Sequence, residues 1–286
     1  MVLSQTKMDL DFRLLFPEEF IKQILDEGYR EDGRSHNQTR STTLTVGSFK
    51  SADGSAVVRI GGTCVACGVK GELANPRAIS PKDGFIVLNV EYSLVTGSEK
   101  LGAIGGGEKF FSSQSLTQII QDIIHSSKFI NLEHLCIEEG KICWSLNVDV
   151  VVLSCDGPVI DACVLAAVSA LKNATLPSVE IESEKPLVSM ATRNHLKTGQ
   201  YPLMTSFAIH KKEVSDTNIG VLVDPTDDEA QYCTGIVCIA VTNDQKLTGL
   251  YKYGGPAMTS DDIQKCIRKA KKQATILVKL IDNTMK

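Results

Sequence analysis

The chain is short of positive charge. Thirty lysines and arginines stand against 34 acidic residues, a net charge of −4 over 286 residues. Proteins built mainly to grip nucleic acid carry a cationic excess, because phosphate neutralisation dominates their affinity. Any RNA contact must therefore come from a local basic lining or from partner chains. Aromatic residues are also sparse, at 6% with a single tryptophan, which argues against a platform on which single-stranded bases stack. No apolar run approaches the roughly 20 residues that span a bilayer. Met1 to Phe16 mixes Lys7, Asp9, Asp11 and Arg13 among its apolar residues, unlike a secretory signal.

Metal and disulfide patterns are missing as well. The nine cysteines are odd in number and scattered, not the dense framework of a secreted scaffold. Several lie in apolar runs, where free cysteine behaves as a small hydrophobe, and this predicts a reducing compartment, cytosol or nucleus. Cys64 and Cys67 have the spacing of a zinc or redox pair, but they fall in a strand pattern that sends residues three apart to opposite faces. No second pair lies at zinc-ribbon spacing. His36, His125, His134, His195 and His210 form no cluster. No metal or cofactor site is expected.

What is present is ordinary globular material, 43% hydrophobic and 22% charged, enough for one large domain or two packed ones. Phe20, Ile21, Ile24 and Leu25 predict a helix from Pro17 to about Glu27, ended by Gly28. Strands are expected at Ser41 to Phe49, Ala56 to Ile60, Thr63 to Glu72 and Phe85 to Tyr92, with Gly61-Gly62 turning a hairpin. Gly97 to Gly107 reads as a glycine-rich loop without dinucleotide-binding spacing. Leu116, Ile119, Ile120, Ile123 and Ile124 trace one face of a helix from Ser113 to Ser126. Cys136-Ile137 and Ile142 to Leu153 form a hairpin-like pair, and the apolar run Val148 to Leu153 suggests a strand buried on both faces. Ile160 to Leu171 is apolar all round, a helix buried between layers. Asn173 to Gly199 is polar, proline-punctuated and without a sustained period, which marks a boundary between two halves. Strands follow at Met204 to His210, Gly220 to Val223, Gly235 to Val241 and Leu247 to Tyr253. A last helix is capped by Thr259 or Ser260, with an apolar stripe from Ile263 to Ile281. Strands then helices, twice, indicate an α+β, layered α/β fold of two similar halves.

Two charged features could carry chemistry. The run Asp224-Pro225-Thr226-Asp227-Asp228-Glu229 follows a strand end; it could hold magnesium, supply a general acid, or be a solvated acidic turn. Lys265, Arg268, Lys269, Lys271 and Lys272 fall mostly opposite the apolar stripe of the last helix, as a solvated face or as a surface that guides RNA.

Several stretches together resemble the RNase PH family. Arg30-Glu31-Asp32-Gly33-Arg34, with Arg40 following, is similar to its opening Arg-x-Asp-Gly-Arg motif. Ala52 to Ala56 and Gly62 to Val65 resemble its first hairpin, and Asp156-Gly157 with Asp161-Ala162-Cys163 sits where the family has its Asp-Gly turn and central helix. Val223 to Thr226 with nearby acids, and Gly254-Gly255, resemble the branch that builds the exosome ring. The resemblance runs from about Ile21 to the C-terminus and implies an RNase PH-like fold of the ribosomal protein S5 domain 2-like type. It implies an N-terminal helical segment over 1–28, an N-terminal half over 29–175, a connecting segment over 176–200 and a C-terminal half over 201–286. It also implies partners: other RNase PH-like subunits in a six-membered ring, RNA-binding cap subunits, associated hydrolytic ribonucleases, and RNA in the channel. The implied locations are the nucleus with its nucleolus and the cytoplasm.

The departures from the family bear on activity. Active relatives hold inorganic phosphate on a Gly-Gly-Thr-Arg-Thr loop after the Asp-Gly turn, whereas here Pro158, Val159, Ile160 and Asp161 stand there, with no arginine and an added carboxylate expected to repel phosphate. The helix that presents arginines in active relatives carries Gln114, Gln118 and Asp122. One family aspartate falls near Asp228 or Glu229; the other falls around Gly235, where there is no acid. The resemblance thus implies a degenerate site at Pro158, Asp161, Asp228, Glu229 and Gly235, and no phosphorolysis. Arg34, Lys100 and Lys109 are the candidate RNA contacts. Two alternatives remain open: an active phosphorolytic exoribonuclease using the displaced Arg193, and a free-standing module for U-rich 3′ regions.

Overall fold

The computed structural model describes residues 15–93, 112–182, 185–211 and 219–285. Helix α1 (Pro17–Asp26) starts on a proline, as expected. Strands β1 (Thr42–Val46), β2 (Gly54–Ile60), β3 (Thr63–Ala74) and β4 (Phe85–Tyr92) follow. Next come α2 (Ser113–Ser126), a single 3-10 turn at Leu132–Leu135, β5 (Cys136–Glu138), β6 (Ile142–Ser154) and α3 (Ile160–Asn173). The first sheet runs β1-β2-β3-β6-β4, with β5 paired to β6. All its pairings are antiparallel except β4 on β6, so β4 must reach β6 through the crossover that contains α2.

The second half holds β7 (Thr175–Glu182), β8 (Lys185–His195), β9 (Pro202–Lys211), β10 (Ile219–Val223), α4 (Asp227–Tyr232), β11 (Gly235–Thr242), β12 (Leu247–Gly254) and α5 (Ser260–Thr284). Its sheet, β10-β9-β11-β12, is antiparallel throughout. Thr259 caps α5 by accepting from the Asp262 N–H. Helix α3 lies against β2 and β3 of one sheet and β9 of the other. Eleven of its residues are buried, and a helix apolar all round belongs in that position. Its side chains and both sheets' inner faces form one continuous core.

Two expectations are corrected. Strand β6 is not buried on both faces: Val148, Val150 and Val152 point into the core, while Asp149 and Leu153 are exposed. The valine run reflects strand propensity with one covered face, not two. The segment 176–200, expected as a connection without period, is largely the β7–β8 hairpin. Among the described residues its strands pair only with each other, and the register slips between Pro177 and Ser178, so no alternation survives in the sequence.

Candidate functional site

The opening arginines and the acidic run meet where the two halves join. Arg30 Nε donates to Glu229 Oε1 at 2.7 Å, its Nη2 pairs with Oε2, and its remaining donors reach the carbonyls of Val223 and Asp224, each at 2.9 Å. The side-chain exposures are 0% for Arg30 and 3% for Glu229, a fully desolvated ion pair. Arg34 donates through Nε to Asp32 at 2.5 Å and through Nη1 to the Asp224 carbonyl at 3.1 Å. Arg40 spans the seam: Nη2 reaches Asp224 Oδ1 at 2.6 Å and Nη1 reaches Asp156 Oδ2 at 2.9 Å. Burial alone would lower the Arg40 pKa, but Asp224 and Asp156 outweigh it and raise it further. Asp224 adopts φ +49°, a left-handed backbone that aspartate tolerates better than bulky residues, and its carboxylate also accepts from the Arg40 N–H at 2.7 Å.

The acidic run is therefore not a solvated turn throughout: Asp224 and Glu229 are buried. Asp224 and Glu229 neutralise arginines delivered by the N-terminal segment. Thr226 and Glu229 close a capping box at the start of α4, and only Asp228 of the candidate pair is exposed. Among the described residues no cluster of histidine, cysteine, aspartate and glutamate could hold a metal ion.

The turn between β6 and α3 packs tightly against this network. Gly157 (φ +83°) lies so close to the 225–226 turn that a Cβ there would sit 2.3 Å from the Pro225 carbonyl oxygen. Asp227 donates its N–H to Asp156 Oδ1 at 3.1 Å. Pro158, Val159 and Ile160 are buried, and the N-cap residue of α3, Val159, makes no side-chain cap. Asp161 does not face a phosphate-sized opening: its carboxylate accepts from the Ser206 N–H at 2.8 Å and from Ser206 Oγ at 2.7 Å on β9. With Asp224 it lines a cleft of about 20 Å³, room for one water. Burial pushes the Asp161 pKa up to about 7, against the two Ser206 hydrogen bonds that lower it. At Gly235, a Cβ would lie 2.7 Å from backbone atoms of Gly254 and Gly255, so no acid fits there while β11 and β12 keep their register.

The other candidates separate. Arg34, expected to face RNA, is turned inward and only 9% exposed; its donors are drawn to carbonyls and carboxylates that the sequence left without assigned partners. Lys100 and Lys109 lie outside the described residues. Gln114, Gln118 and Asp122 share the exposed side of α2, where Gln118 donates to Asp122 at 2.8 Å. Arg193 is held within the β7–β8 hairpin by Asp53, the Thr175 carbonyl at 2.7 Å and Thr175 Oγ1 at 3.1 Å. Sequence reasoning missed Arg30 and Arg40 as the centre of the arrangement. The available signals were the arginine motif itself and the Thr226-x-x-Glu229 capping pattern, which ties Glu229 back to the start of its helix.

Two sheets that share a buried central helix, closed by an arginine-carboxylate seam, define an α+β protein with an RNase PH-like fold. The chain belongs to the 3′ exoribonuclease family: residues 38–177 match its domain 1 and residues 200–273 its domain 2. It is 30% identical to exosome complex component rrp43 of Schizosaccharomyces pombe, over 91% of this chain and 93% of that protein. It is 28% identical to exosome complex component Rrp42 of Methanothermobacter thermautotrophicus, over 93% and 94% of the two chains. A chain of an Archaeoglobus fulgidus exosome with RNA bound to the active site superposes with a TM-score of 0.77 at 25% identity, covering 92% of this chain and 96% of the other.

Proposed function

We propose that this chain is a non-catalytic subunit of an RNA exosome, one of six RNase PH-like subunits in a ring that threads RNA for 3′-to-5′ processing and degradation. The observation that carries the non-catalytic part is the commitment of the seam. Arg30, Arg34 and Arg40 already hold Glu229, Asp32, Asp224 and Asp156. A phosphate ion at Arg30 would have to displace buried Glu229, and stripping one partner from a buried pair costs about 3–5 kcal/mol. Exosome components as relatives over nearly the whole length support the ring role. The same reading includes RNA-binding cap subunits and hydrolytic ribonucleases as partners, action in rRNA maturation and mRNA turnover, and residence in nucleus, nucleolus and cytoplasm.

The purified chain incubated with RNA, magnesium and inorganic phosphate is expected to release no nucleoside diphosphate. Release that disappears on Asp228→Ala would overturn the reading. Affinity purification from its source cells, followed by mass spectrometry, is expected to recover the other ring and cap subunits as one particle.

A further inference from the structure

Cys136 and Cys143 face each other across the β5–β6 hairpin, their Cα atoms paired in the strand register. Directly opposed residues of an antiparallel pair share a face, with Cα atoms about 4.5–5.5 Å apart. That lies inside the range of about 4.4–6.8 Å that a disulfide bridges. Both are free thiols, Cys136 half-buried and Cys143 with 0% exposure. Burial, and then the neighbouring Cys136, raise the pKa of Cys143. The two sulfurs thus differ in access: a small oxidant can reach Cys136, while Cys143 waits behind it. Half-buried Cys155 and buried Cys163 differ in access in the same way, but they are not opposed in a strand ladder. Cys67 and Cys163 lie near one another but are sealed in the core at 1% and 0% exposure.

We propose that Cys136 and Cys143 are a reversible modification site that closes a cross-strand disulfide when the chain meets hydrogen peroxide. The Cys136 thiolate attacks one peroxide oxygen; the O–O bond breaks, and the departing hydroxide is protonated to water. Cys136 is left as a sulfenic acid. Cys143 Sγ then attacks Cys136 Sγ, forming the S–S bond as the S–O bond breaks, and the leaving hydroxide takes the Cys143 proton as a second water. Two thiols and one peroxide become one disulfide and two waters; a thiol reductant such as glutathione reverses the bond by exchange. The bridge would pin the three-residue β5 to the sheet. It would also fix the turn at Leu132–Leu135 just before it, part of which lines a cavity of about 690 Å³ between α2 and the start of β4.

Lys141 lies between the two cysteines, so trypsin separates them and only a disulfide keeps their peptides together. The full-length chain is treated with a graded series of peroxide, quenched with catalase, blocked with N-ethylmaleimide in denaturant and digested. The expected result is a dithiothreitol-sensitive link between the peptides 129–141 and 142–172, with the loss of two of the nine titratable thiols. Cys143→Ser, with an unchanged circular dichroism spectrum, should abolish the link and leave Cys136 trapped as sulfenic acid, labelled by dimedone. Cys136→Ser, at the more exposed position, should leave Cys143 unoxidised. The proposal is overturned if Cys136 oxidises in the native chain while Cys143 stays fully alkylatable, or if the link forms equally in Cys143→Ser.

Discussion

Glu229 and Asp228 are neighbours with the same charge and opposite fates. Glu229 is 3% exposed against Arg30, whereas Asp228 is exposed. Glu229→Ala would strand a buried guanidinium and is expected to cost about 3–5 kcal/mol, read as a lowered urea midpoint. Asp228→Ala should stay within about 0.5 kcal/mol of the native chain. The sequence marked both as acids near a strand end but could not separate them, because their difference is set by an arginine 199 positions away from Glu229. Asp161 carries a second test. Its folded pKa is raised to about 7 by burial, above the ~3.9 of an unfolded aspartate. Between those values the folded state holds the extra proton, so this group's contribution is most favourable at low pH and is lost as pH rises toward 7. Asp161→Asn is therefore expected to gain on the native chain between pH 5.5 and pH 8, by on the order of 1–3 kcal/mol, measured by urea unfolding at both values.

At the level of elements, the regular periods were legible and the short irregular pieces were not. Helix α2 spans Ser113–Ser126 and β4 spans Phe85–Tyr92, as their patterns predicted, because each presents a single covered face to the core. Helix α4, six residues long, has too few turns for a period to emerge. Its existence depends on its cap: Thr226→Ala is expected to cost about 1 kcal/mol, seen as a lower melting temperature and faster hydrogen exchange at Glu229 and Ala230. The β7–β8 hairpin stayed hidden for a different reason: Leu176 and Val179 of β7 reach the core, but the register slip between Pro177 and Ser178 lies between them and breaks the alternation they would write.

For the whole molecule, helix α3 makes the two halves interdependent, since it packs against β2 and β3 on one side and β9 on the other. Cutting the chain after Gln200 would remove Leu203, Met204 and Phe207, all buried, from that shared core. The fragment 29–200 is expected to bind the dye ANS and to lack a cooperative thermal transition, whereas the intact chain should unfold in one step. The two-half architecture was visible in sequence, while this dependence was not, because an all-apolar helix does not say how many layers it separates. The seam between the halves also sets an order of events during synthesis. A ribosome adding about 5–20 residues per second completes Arg30 some 10–40 s before it reaches Glu229, the carboxylate 199 positions later. Throughout that interval Arg30 lacks its native counter-charge, whereas Arg34 has Asp32 beside it from the start and Arg40 gains Asp156 before Asp224. The turn after β10 and the start of α4 therefore deliver the charge that lets Arg30 leave water.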